Sequence, residues 1–221
     1  MPRPLDGATG ERLDLSEYYA DFQKQYLGIR DFWKLERGQV YAEPGNASWE
    51  AFEAGDWSES LRLLERSRDD LISYYRENAS RGTVSRRLRI VSLPLTGYIQ
   101  WELEHLKIRD EAGGHSRILR DVDVATLEDH GPLPDIYTLD GDLMYRAIYD
   151  DHGVLEYALR YTDRVVVSRC RDFIADLYDR AEPIADFFAR KVAHLPPPRP
   201  TKPAIPKDYL ALTGRPDPIR S

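Results

Sequence analysis

Apolar positions recur every three or four residues through the first eighty positions, then switch near Arg86 to alternation at every second residue. From Leu15 to Trp33, "LSEYYADFQKQYLGIRDFW" sets Tyr18, Phe22 and Tyr26 four apart, which predicts an aromatic-rich helix seated on the body. Pro44-Gly45 is a turn signal, Ser48 a candidate N-cap before "WEAFEAG", and Gly55 a stop. Trp57, Leu61, Leu64, Leu71 and Tyr75 form one stripe, predicting a long helix capped by Asp56 and ended at Gly82. "SRRLRIVSL" then alternates, predicting a strand over 86–92. A helix over 95–111 follows, with Pro94 in its first turn and Leu95, Ile99, Leu103 and Leu106 as its buried face.

After "AGG" at 112–114, "SRILRDV" reads as a strand and "DVATLED" as a short helix. Three short strands come next, turning at Asp140-Gly141 and at Asp151-His152-Gly153. Asp163 caps a long helix with Val166, Cys170, Phe173, Ile174, Leu177 and Tyr178 on its core side, and Pro183 kinks or restarts it. This order predicts one α+β domain over 15–193, with a helical part at 15–82 and sheet plus helices at 83–193. The sheet is expected to be mixed and mostly antiparallel, of about five strands, with flanking helices and a helical N-terminal wrap. Residues 1–14 read as a flexible arm. Residues 194–221 hold eight of the 15 prolines and read as an extended tail, either free or laid along a partner surface, a second copy in a homodimer included.

Composition narrows the function classes. The formal charge is −7, and the tail from His194 carries five Lys/Arg against two Asp/Glu, which leaves −10 on residues 1–193. So acidic a body repels a phosphate backbone, and direct nucleic-acid binding is not expected. No apolar run approaches the ~18 residues of a membrane span, and "MPRPLDGATGERLD" has no signal-peptide core, so a cytoplasmic protein without membrane contact is expected. The single Cys170 reads as a small buried hydrophobe. Trp33, Trp49, Trp57 and Trp101 read as core anchors, and Asp140, Asp150 and Asp163 as turn and cap residues. No glycine-rich phosphate loop, nucleophile elbow, EF-hand loop or paired histidines stand in the sequence, so neither cofactor nor metal is expected.

The chemistry that remains gathers on two segments. The helix over 95–111 carries Tyr98, Glu102, His105 and Arg109 at spacings of four, three and four, opposite its apolar face. The strand before it presents Arg87 and Arg89 on one face, and "KLERGQVY" adds Glu36, Arg37 and Tyr41. Three readings stay open. Arg89 and Glu102 form a structural ion pair beneath Tyr98; or Arg87 or Arg89 grips a small anionic ligand that Glu102 orients; or Glu102 or His105 acts as a general acid–base.

Several segments carry a family likeness: "FWKLERGQVYAEPG", "FEAGDW", "RRLRIVSLPLTGYIQWELEHL", "LDGDLMYRAIYDDHGVLEYALRYTD" and "FIADLYDRAEPIADFF". As an ordered set, over about Phe32 to Phe188, they resemble DUF6879, an actinobacterial family of uncharacterised proteins. In that pattern Glu36, Arg37, Tyr41, Arg87, Arg89, Tyr98 and Glu102 match, whereas His105 and Arg109 do not. The resemblance implies a partner encoded nearby, such as a helix-turn-helix regulator. The closing part is also similar to non-catalytic phospholipase-D-like sensor domains. The catalytic H-x-K-x-x-x-x-D of that superfamily begins at His105-Leu106-Lys107, but Ala112 stands where its aspartate belongs. The expected function is a non-catalytic or small-ligand-sensing regulatory partner module, with Glu36, Tyr41, Arg87, Arg89, Tyr98 and Glu102 as ligand residues. The alternative is a biosynthetic enzyme, for acyl or aminoacyl transfer, with its pocket between strand 86–92, helix 95–111 and the N-terminal helices.

Overall fold

A computed structural model of the chain describes residues 4–200. The proline-rich tail from residue 201 onward lies outside the described residues. The architecture is α+β: one mixed sheet with helices on both faces. In chain order its strands are β1 Glu11–Leu13, β2 Asp31–Glu36, β3 Val84–Val91, β4 His115–Arg120, β5 Ile136–Leu139, β6 Leu143–Tyr149, β7 Leu155–Tyr161 and β8 Glu182–Pro183. They lie in the order β1-β7-β6-β5-β2-β3-β4-β8. β2, β3 and β4 are mutually parallel and every other neighbour pair is antiparallel.

Among the described residues eight strands stand where the periodicity predicts about five, and β1, β8 and β2 are the additions. β1, within the segment read as a flexible arm, pairs with β7, and the Pro4 carbonyl accepts from Arg169 Nε at 2.9 Å. β8 is two residues long, too short to show a period. β2 was expected as the end of the first helix. Instead α1 spans Leu15–Tyr26, held by an Asp14–Glu17 capping box, and the chain turns before Asp31. "DFWKLE" is buried along most of its length, so no solvent-facing alternation marks it as a strand.

The other helices are α2 Ala47–Glu53, α3 Trp57–Arg66, α4 Arg68–Ser80, α5 Gly97–Glu111, α6 Arg164–Arg180 and α7 Ile184–Lys191. Asn46, not Ser48, caps α2, because its side chain accepts from the N–H groups of Ser48 and Trp49. The long helix expected over 57–82 divides at Ser67, whose hydroxyl donates to the Leu64 carbonyl at 2.7 Å. Asp56 caps α3 as expected, and Gly55 and Gly82 take positive φ at the ends of α2 and α4. Pro94 precedes α5, which Thr96 caps through Ile99 N–H. The segment at 121–127 forms two short 3₁₀ turns.

α6 covers one face, where Trp33, Leu35, Leu88 and Ile90 meet Val167, Cys170, Ile174 and Leu177. The inward valine of α6 is Val167, while Val166 is half-buried. On the other face α1 packs over Phe32, Tyr137 and Tyr145. Beside it α5 packs over Val91 and Ile118, with Phe187 and Phe188 of α7 alongside. The site lies on this second face. Among the described residues no helix is long and apolar enough to cross a membrane.

Candidate functional site

The parallel register of β2 and β3 builds the floor of the site. Lys34 stands opposite Arg87, and Glu36 opposite Arg89. By the two-residue period all four side chains share the face under α5. Lys34 Nζ lies 2.8 Å from Glu36 Oε1, and Arg87 Nη1 donates to Glu36 Oε2 at 2.9 Å. Arg89 is wholly buried. Its Nε donates to Glu102 Oε2 of α5 at 2.5 Å, and its Nη atoms donate to the carbonyls of Glu36, Ile90 and Gly38. A guanidinium with its donors spent in this way is fixed in position. Burial works against the Arg89 charge, but Glu102, Tyr41 and Glu36 hold its pKa above the usual value. Burial also pushes the Glu102 carboxyl upward, and the Arg89 charge opposes that push.

The loop between β2 and α2 supplies the wall. Gln39 ties it to β3, donating to the Ile90 carbonyl at 2.8 Å and accepting from Ser92 N–H at 2.8 Å. Ala42 N–H donates to the Gly153 carbonyl in the β6–β7 turn. So held, Tyr41 places its ring edge-on to Tyr98, 5.4 Å between centroids, with the Arg89 guanidinium 5.5 Å from its own. Burial raises the Tyr41 hydroxyl well above its ordinary range. The Tyr98 hydroxyl donates to Glu43 Oε1 at 2.6 Å.

α5 is buried except along an outer strip that includes Gln100, Glu104, Lys107 and Glu111. The polar stripe Tyr98, Glu102, His105 and Arg109 is as enclosed as Ile99, Leu103 and Leu106. A narrow cleft with room for about one water molecule opens along it. Its lining is Glu36, Glu43, Arg87, Glu102, His105, Leu106 and Arg109. Of the expected ligand residues, Glu36, Arg87 and Glu102 line the cleft. Arg89, Tyr41 and Tyr98 stand behind it as the groups that hold the lining.

Lys34 and Glu43 are not among the residues expected from the sequence, and His105 and Arg109, which share the four, three, four spacing but lie outside the family pattern, line the cleft. Lys34 becomes visible once 31–36 is read as a strand, since it alternates with Glu36. Glu43 lies in a turn, where no period points to it.

His105 differs from the rest of the lining. Its side chain is only 8% exposed, its ring lies 6.0 Å from that of Trp101, and it has no hydrogen-bond partner among the described residues. Burial first, then the Arg109 and Arg87 charges, hold its pKa well below the usual value, with Glu36 opposing. The ring is therefore neutral at pH 7, with one N–H donor and one acceptor nitrogen. Lys107, two residues on, points elsewhere: its Nζ pairs with Glu111 at the partly exposed outer side of α5. His105 and Lys107 thus do not converge on one group. Among the described residues no group of three or more His, Cys, Asp or Glu is arranged to hold a metal ion.

The chain matches no curated protein. A family model does match it, across residues 20–189, which takes in β2, the loop bearing Tyr41 and Glu43, β3 and the whole of α5. The chain belongs to the family described as domain of unknown function DUF6879.

Proposed function

We propose that this protein is a non-catalytic regulatory module that senses a small anionic ligand in the cleft between β2, β3 and α5 and reports its occupancy to a protein partner. One observation carries the reading. Each carboxylate of the lining is already engaged, Glu36 by Lys34 and Arg87, Glu102 by Arg89, and Glu43 by Tyr98. Of the polar side chains that line the cleft, only the buried neutral His105 ring has no hydrogen-bond partner among the described residues, and the fields of Arg87 and Arg109 act on it. One anionic oxygen of a ligand, the size of the single water the cleft admits, accepts from the imidazole N–H and is drawn by Arg87 and Arg109 against the paired glutamates of the lining. The glutamates, Glu36 and Glu102 in ion pairs and Glu43 under the Tyr98 hydroxyl, are poorly placed to exchange protons with a substrate, which disfavours general acid–base chemistry. The family likeness makes a helix-turn-helix regulator the first partner to try.

A thermal-shift screen of inorganic anions and small carboxylates, on wild type, His105→Ala and Arg87→Ala, tests the proposal. A ligand at a hundredfold its Kd stabilises by about 2.7 kcal/mol. For a domain of this size that is a Tm rise of roughly 5–10 °C. The rise is expected in the wild type and absent from both variants. Equal shifts in all three proteins, or no shift with any anion, would remove the site.

A further inference from the structure

Past α7 the chain turns back over the body. Ala193 N–H donates to the Phe188 carbonyl at 3.0 Å and Leu195 N–H to the Val192 carbonyl at 2.8 Å, which aims the "PPPRP" of residues 196–200 at the start of α5. Pro198 and Pro200 are half-buried, whereas Pro196, Pro197 and Arg199 are exposed. The backbone contact is close: a Cβ placed on Gly97 would lie 2.2 Å from the Arg199 carbonyl oxygen and 3.3 Å from Phe52 Cζ. Gly97 is the first residue of α5, and the Thr96 hydroxyl caps only the Ile99 N–H. The positive end of the helix thus meets a peptide carbonyl, the charge sense such an end favours. The fixed φ of prolines lowers the entropy lost when such a segment is laid down.

We infer that Phe52 of α2 and the N-terminus of α5 form a groove for a proline-rich strand, and that the chain's own residues 196–200 occupy it as a strap. Glycine stands at 97 because any side chain there collides with the strap's backbone. Its other near neighbour, Phe52 Cζ at 3.3 Å, is the end of a side chain that can give by a few tenths of an ångström, and alanine is the better helix former at such a first-turn site. A protein that captures "PPPRP" in an aromatic-lined groove must first lift the strap, so capture of the tail and exposure of the α5 N-terminus are one event.

The inference does not depend on the ligand reading of the cleft, and its test uses the full chain. A labelled peptide of residues 194–202 is titrated against wild type, the strap variant Pro198→Asp/Pro200→Asp, and that variant with Gly97→Ala. The tethered strap competes at a high effective concentration, so wild type is expected to bind the peptide at least about tenfold more weakly than the strap variant. Adding Gly97→Ala is expected to abolish the binding. Melting supplies a second readout. Gly97→Ala is expected to lower Tm by about 3 °C or more in the wild-type background and to raise it in the strap variant. Equal peptide affinity in wild type and strap variant, binding by neither, or a Tm rise with Gly97→Ala in both backgrounds overturns the inference. So does a wild-type dimer that the strap substitutions dissolve, since that would seat the segment on a second copy.

Discussion

Replacing Arg89 tests whether the floor of the site is held by charge pairing or by packing alone. In Arg89→Met the side chain keeps its approximate length and apolar contacts, while the Nε bond to Glu102 and three bonds to carbonyls are lost. The Ile90 and Gly38 carbonyls both keep Gln39 Nε2 as a donor, at 2.8 and 3.3 Å, so the Gly38 carbonyl is left with only the longer of its two bonds. Glu102 is left buried without its guanidinium, and removing one member of a buried pair costs about 3–5 kcal/mol. The weakened hydrogen bonding of these carbonyls adds about 1 kcal/mol. We therefore expect Arg89→Met to lose roughly 4–6 kcal/mol, a large part of the 5–15 kcal/mol typical of a whole domain. Arg89→Met/Glu102→Leu removes both charges and is expected to recover all but about 1–2 kcal/mol, the carbonyl and repacking share. Urea denaturation followed by tryptophan fluorescence gives the coupling energy directly, since Trp33 and Trp101 lie in the two clusters either side of the sheet. Additive single losses, or a single loss under about 1 kcal/mol, would show that the pair holds nothing.

His105 makes stability depend on pH. Its folded pKa is held below the unfolded value of about 6.5, so below that pH the unfolded chain binds a proton that the folded chain refuses. Stability should therefore be full above about pH 7 and fall as the pH drops through 6.5, by up to about 1.4 kcal/mol per pH unit. His105→Gln should flatten that segment of the profile measured by urea melts; an unchanged slope refutes the burial of a neutral ring. At the β5–β6 turn, Asp140 takes φ 54° and its Oδ1 accepts from the Arg30 and Asp31 N–H groups, both at 2.9 Å. Asp140→Ala, which loses both bonds and strains the backbone, should cost about 2–3 kcal/mol, Asp140→Gly about 1, and Asp140→Asn close to nothing. If the glycine variant melts below the alanine variant, positive φ is not what selects the residue.

Local grammar was enough for the hairpins at 140–142 and 151–153, the caps at Asp56 and Asp163 and the α+β class, because each is set by residues within a few positions of one another. Helix boundaries were less legible: the stripe from Trp57 to Tyr75 continues across Ser67, and only the hydroxyl's bond to Leu64 marks the break. β1 and β8 exist because a neighbouring strand offers them hydrogen bonds, a cause that acts from more than sixty residues away in sequence. The same holds at the site. That arginines alternate on one strand and that Tyr98 and Glu102 share a helix face follows from period alone. That Lys34 and Glu36 lie beside those arginines follows from a parallel register joining segments some fifty residues apart. The polar stripe of α5 reads as a wet surface by its chemistry, and becomes the lining of a buried cleft only because the β2–α2 loop and the sheet close over it. Sequence determines what each segment can present; which presented groups meet, and which of them lose water, is decided by long-range packing.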